Sequence, residues 1–291
     1  MGTSGLILNS TDAANWFAQT TPTTNALNGI TRCGDVFIAV GNSGTLLTSA
    51  DGISWTRQIS GSTRTLVGAA FGNDLFLVVG GGRSSPAAAL TSSNVLNWVD
   101  RSYPNLGVTF YGVAFGDGVF VAMDARGVAY TSPNGTNWTV KQTLTSDYVF
   151  GITYAQNFFV GVGGPFSGGS QKIVTSPDGK NWKLRPISTA HSGTLRAVAY
   201  GNGYFIAVGD KGLIVQSGPV STLRLAGVVG STATLVLDGE IGRGYHIQSC
   251  SDLMASNWTD LLSVTNTAEV TSFPDPQAGN SPLRFYRAVS P

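Results

Sequence analysis

Five tryptophans recur along this chain, and the repeat they mark restricts the fold more than any other feature. Trp16, Trp55, Trp98, Trp138 and Trp182 stand 39, 43, 40 and 44 residues apart. Each follows a Ser-x-Asp or Ser-x-Asn pair at a constant distance: Ser10/Asp12, Ser49/Asp51, Ser92/Asn94, Ser132/Asn134 and Ser176/Asp178. A second phrase also recurs. It reads LNGITRCGDVFIAVG at 27–41, LVGAAFGNDLFLVVG at 66–80, FYGVAFGDGVFVAM at 110–123, VFGITYAQNFFVGVG at 149–163 and LRAVAYGNGYFIAVG at 195–209. Short β-type runs at a period near 40 predict an all-β fold, the blades of a β-propeller.

Each repeat supplies four strands, A to D. In the third these are 112–116, 119–123, 127–132 and 137–142. The Asp or Asn of the C–D turn accepts backbone N–H groups, and the Trp packs between blades. The chain holds five A–B hairpins and five C–D units, but the first C–D unit (5–21) has no A–B before it. The simplest reading is five blades, with the N-terminal strands closing the last one and removing exposed sheet edges. GLIVQS at 212–217 competes with GLILNS at 5–10 for the same slot, so six blades, two of them incomplete, is the alternative. The expected domains are a propeller over 1–217, a linker over 218–223 and a small antiparallel β-sandwich over 224–291, built from short strands such as TATLVLDG and YHIQSCSD.

The turn phrase, as in Ser49-Ala50-Asp51-Gly52-Ile53-Ser54-Trp55, resembles the Asp-box, or bacterial-neuraminidase repeat, one residue tighter than that family's Ser-x-Asp-x-Gly-x-x-Trp. The whole repeat resembles Asp-box propellers of the photosystem II assembly-factor type and of large bacterial surface proteins. In that family the box is structural, which implies that Asp12, Asp51, Asn94, Asn134 and Asp178 hold turns. The C-terminal stretch carries Tyr245, Ile247, Gln248, Cys250, Asp252, Leu253, Asn257, Trp258, Thr259, Phe273, Asp275 and Arg284 to Arg287. It resembles a module at the C-termini of secreted, repeat-rich bacterial proteins. That resemblance implies an extracytoplasmic setting and an accessory role.

Composition narrows the function. Net charge is +1 and no basic run occurs, so neither nucleic acid nor an anionic membrane is an expected partner. No apolar stretch reaches the roughly 18 residues of a membrane span. Residues 1–10 lack a basic n-region and a long apolar h-region, so no signal peptide is read there, and the opening in mid-repeat fits a fragment or a mature form. The two cysteines, Cys33 and Cys250, read as buried free thiols, and with two His they do not give a zinc spacing.

The chain has two Glu, Glu240 and Glu269, both after the propeller repeats. Sialidases of the Asp-box family need a Tyr–Glu pair, and five-bladed arabinanase-like glycosidases need a Glu acid. Hydrolysis by the usual carboxylate pair is therefore not expected. No Gly-x-Ser-x-Gly elbow occurs.

The variable B–C and D–A loops share one face, where binding is expected. The ligand-binding candidates there are Arg64, Arg83, Tyr103, Arg126, Tyr148, Phe166, Arg196 and Lys211: cations for a carboxylate or anionic glycan, aromatics for a sugar or peptide. Tyr111 adds to the aromatics or joins the core. Asn42, Asp124, Asp147 and Asp210 form a candidate oxygen set for Ca²⁺, with turn capping as the competing reading. His191 is the candidate general base if the chain is an enzyme. The leading expectation is a non-catalytic binding or scaffold propeller for protein or glycan. The alternatives are a Ca²⁺-dependent lactonase or esterase acting on a small-molecule ester or lactone, and a structural unit of a longer surface protein.

Overall fold

The computed structural model describes residues 2–82, 85–102, 108–124, 126–143, 148–165, 171–185, 187, 193–218, 222–238, 244–252, 257–265, 270–280 and 283–289. The chain separates into two compact units, Met1–Ala199 with Ala207–Val215, and Tyr200–Ile206 with Gln216–Pro291.

The first strands are β1 (Ile7–Asn9) and β2 (Phe17–Gln19), an isolated antiparallel pair. Four four-stranded sheets follow in chain order. They are β3 (Leu27–Cys33), β4 (Val36–Gly41), β5 (Leu46–Ser49) and β6 (Thr56–Arg57); then β7 (Thr65–Gly72), β8 (Leu75–Gly82), β9 (Ser85–Ser92) and β10 (Val99–Asp100). The third holds β11 (Phe110–Gly116), β12 (Val119–Asp124), β13 (Val128–Ser132) and β14 (Thr139–Thr143). The fourth holds β15 (Tyr148–Ala155), β16 (Phe158–Gly164), β17 (Lys172–Ser176) and β18 (Lys183–Arg185). A three-stranded sheet of β19 (Leu195–Gly201), β20 (Tyr204–Gly209) and β21 (Ile214–Gln216) closes the series.

One correction concerns the ends. Residues 5–21 were expected to complete the last sheet. Among the described residues β1 and β2 pair with each other, and GLIVQS supplies β21 beside β20. The local strand wins because only four residues, Asp210 to Leu213, join it to β20, at little loop-closure cost.

Alternating side chains explain why the sheets stack. In β4 and β5, Ile38, Val40 and Leu46 face forward into a cluster with Leu66, Ala69, Val78, Ala88 and Leu90 of the next sheet. Ala39 and Leu47 face backward into a cluster with Ile7. Strand side chains alternate with period two, so a sheet with neighbours on both sides buries both faces. Ala129 faces forward and Tyr130 backward in β13 by the same rule.

The five Ser/Asp turns share one hydrogen-bond pattern. In the second, the Ser49 hydroxyl donates to Asp51 Oδ1 at 2.9 Å, and that oxygen accepts the N–H groups of Ile53 and Ser54, each at 2.8 Å. Trp55 Nε1 donates to the Gly52 carbonyl at 3.3 Å. Asn94 and Asn134 do with an amide oxygen what the aspartates do with a carboxylate. Trp55, Trp138 and Trp182 are buried in clusters that include the preceding sheet.

In the second unit, β22 (Thr222–Val229), β23 (Thr232–Asp238) and β26 (Val270–Asp275) form one sheet. Strands β24 (Gly244–Cys250), β25 (Thr259–Thr265) and β27 (Phe285–Val289) form another. Leu235 and Leu237 of the first sheet share a core with Tyr245 and Ile247 of the second.

Candidate functional site

The inner strands β3, β7, β11, β15 and β19 line one cavity of about 710 Å³. Two local devices shape it. The first is a β-bulge at the same place in four of the hairpins. Pairing skips from Leu27 to Gly29, Leu66 to Gly68, Phe110 to Gly112 and Val149 to Gly151. The skipped residues are Asn28, Val67, Tyr111 and Phe150, and all four line the cavity. A bulge leaves one residue unpaired and re-aims its side chain. Arg196 holds the matching place in the last phrase and lines the cavity too.

The second device is the glycine after the bulge. A Cβ on Gly29 would lie 2.3 Å from the Val67 carbonyl oxygen, and one on Gly151 2.9 Å from the Ala197 Cα. Missing side chains let successive inner strands approach closely.

Three aromatic rings and a cation gather among these side chains. Phe150 stacks on Tyr148 with centroids 5.4 Å apart and planes 5° apart. Tyr111 meets Phe150 edge-on at 5.2 Å and Tyr148 at 6.3 Å. The Arg196 guanidinium carbon lies 4.5 Å from the Phe150 centroid. Arg196 Nε and Nη2 also donate to the two carboxylate oxygens of Asp210, each at 2.9 Å. That fork holds the Asp210 carboxyl below its ordinary range. Asn28 donates to Asn42 Oδ1 at 2.9 Å and to the Leu66 carbonyl at 3.1 Å.

The other candidates go elsewhere. Asp124 is fully buried, and its two oxygens accept from the Arg126 backbone and guanidinium, the Val128 N–H and the Tyr130 hydroxyl. Burial, then Asp124, pushes the Tyr130 hydroxyl up, while the hydrogen bond to Asp124 raises Arg126. Arg64 pairs with Asp100 at 3.1 Å and donates to the Ser102 hydroxyl at 2.9 Å. Lys211 occupies the turn before β21, with φ 58°. Arg83, Tyr103, Asp147, Phe166 and His191 lie outside the described residues. Among the described residues, no three or more His, Cys, Asp or Glu side chains converge as a metal site would require.

The structure therefore joins Tyr148 and Arg196 through Phe150, which the sequence reading missed. A signal for it existed. In LNG, LVG, FYG, VFG and LRA, the middle residue varies inside an otherwise constant phrase.

Solved structures of similar fold decide the architecture. A structure described as YCF48 bound to D1 peptide matches with a TM-score of 0.54 at 18% identity, covering 87% of this chain and 86% of that one. YCF48 from Cyanidioschyzon merolae matches with a TM-score of 0.51 at 16% identity, covering 77% of this chain and 82% of that one. The fold is a β-propeller. No family model matches this chain, and no curated protein does. On the propeller, bulged residues of the inner strands, Tyr111 and Phe150 among them, line the central cavity beside Arg196, and Tyr148 contacts Tyr111 and Phe150. No helix among the described residues is long and apolar enough to cross a membrane.

Proposed function

We propose that this chain is a non-catalytic binding or scaffold propeller that holds a segment of another protein at its central cavity. The observation that carries this reading is the gathering of Tyr111, Phe150 and Arg196 on one wall, with Tyr148 stacked on Phe150. Aromatic rings give a large contact area at low entropic cost, and a stacked arginine adds directional hydrogen bonding. One propeller of similar fold was solved bound to a peptide, which supports a protein segment over a glycan. In this reading the propeller has six blades, the first (β1 and β2) and the last (β19 to β21) incomplete. The box turns are structural, and the C-terminal unit is a small β-sandwich with an accessory role outside the cytoplasm.

The test is a peptide array and a glycan array probed with the full chain and with Phe150→Ala and Tyr111→Ala. Peptide binding that both variants lose supports the reading. Glycan binding alone, or peptide binding unchanged in both variants, overturns it.

A further inference from the structure

The repeat shows which faces of the propeller unit ought to be covered, and two are not. In the first four-stranded sheet the forward-facing Val40 and Leu46 are each 0% exposed, packed on the next sheet. Their counterparts in the last sheet, by the matching phrases VFIAVG/YFIAVG and GTLLTS/GLIVQS, are Val208 and Ile214. These are 43% and 68% exposed. At the other end, the backward-facing Leu47 and Trp55 are 0% and 8% exposed. Their counterparts Leu8 and Trp16, in the N-terminal pair, are 41% and 57% exposed. The chain thus presents one uncovered forward face and one uncovered backward face. These are the two halves of a contact it makes repeatedly within itself.

A second feature fits the same pairing. Gly29, Gly112 and Gly151 each stand where a Cβ would press on the following inner strand, at 2.3, 3.1 and 2.9 Å. The last phrase has Ala197 at this place, and Ala197 is exposed. A methyl group there is admissible if the sheet that follows brings no inner strand. Among the described residues the N-terminal sheet is the pair β1 and β2, the counterparts of β5 and β6.

We propose that these faces meet between copies: Val208 and Ile214 of one copy pack against Leu8 and Trp16 of a second. The single chain folds with both faces uncovered, so its own other end does not cover them. A second copy offers the complementary face with the same side chains. The contact is heterologous, so it generates closed rings or linear chains of propellers according to the rotation it imposes.

A double variant, Leu8→Cys with Ile214→Cys, treated with a short flexible bismaleimide, tests the idea on the full chain. The native Cys33 and Cys250 are buried, which keeps the background low. Expected are covalent dimers and higher species, and a mixed dimer when the two single variants are combined. A link formed only within one chain overturns the proposal in favour of self-closure, and no link overturns it outright. Light scattering gives an independent reading. Wild type is expected above monomer mass at high concentration, with Ile214→Asp weakening association at least about tenfold and leaving Tm unchanged. Wild type monomeric at every concentration overturns the proposal.

Discussion

Arg196 stands over the ring of Phe150, with its guanidinium carbon 4.5 Å from the ring centroid. Phe150 occupies a bulge and Arg196 lies on the neighbouring inner strand, so the contact joins two sheets at the cavity wall. Phe150→Ala removes the surface on which both Arg196 and Tyr148 stack. Peptide affinity is expected to fall about tenfold or more, as for a central aromatic anchor. Arg196→Lys keeps the charge but loses the planar stack and the fork to Asp210, and an intermediate loss is expected. Titration calorimetry with an array-derived peptide measures both, and equal affinity across the series would count against the cavity as the binding site.

Asp124 has a structural task that a substitution exposes. It is fully buried, and Val128, Tyr130 and Arg126 all donate to it. Asp124→Ala leaves these donors without an acceptor, at a cost on the order of 3 kcal/mol. Asp124→Asn keeps one acceptor oxygen and is expected to lose less. Urea unfolding of the two variants gives the order directly.

The inner-strand glycines are expected to differ among themselves. A Cβ on Gly29 meets the Val67 carbonyl oxygen at 2.3 Å, whereas on Gly68 the nearest atom, the Val113 nitrogen, is at 3.6 Å. Backbone cannot rotate away as a side-chain tip can. Gly29→Ala is expected to destabilise by about 1–3 kcal/mol, and Gly68→Ala to be close to neutral. Thermal unfolding of the pair is the measurement, and equal losses would contradict the close approach seen at Gly29.

The repeat made the hairpins and turns legible because their chemistry is local. A tight A–B turn and a Ser-x-Asp turn are each encoded within a few residues. The pairing of the ends was not legible, because GLILNS and GLIVQS carry nearly the same pattern, and only loop closure to β20 separates them. The aromatic cluster was legible only in part. Tyr148 and Arg196 are read from the sequence as loop-face candidates and lie in β15 and β19, whereas Phe150 sits within a strand phrase and reads as core. A bulge turns it to the cavity, and a bulge changes register without a distinctive residue of its own. Asp124 illustrates the converse. The sequence leaves calcium binding and turn capping both open for it at the end of β12, and the structure shows protein donors on both oxygens.

The box turns make stability depend on acid in a predictable direction. Asp51 is drawn from 3.8 to about 2, chiefly by the Ser54 N–H and then by the Ile53 N–H. Asp12 is also lowered, chiefly by the Asn15 N–H. Burial opposes the shift at Asp178, but the N–H groups of Asn181 and Lys180 and further side-chain hydrogen bonds outweigh it. A carboxylate with a depressed folded pKa binds fewer protons than the unfolded chain. Its contribution is complete above the unfolded value and disappears as pH falls through the folded one. Stability is therefore expected to be level above pH 4 and to fall between 3.8 and about 2, the span set by Asp51. Asn94 and Asn134 show that an amide oxygen accepts the same pair of N–H groups, at 3.0–3.1 Å. The triple variant Asp12→Asn, Asp51→Asn and Asp178→Asn should therefore fold and show a shallower acid slope in urea titrations across this range. An unchanged slope would mean that other carboxylates govern the acid limb.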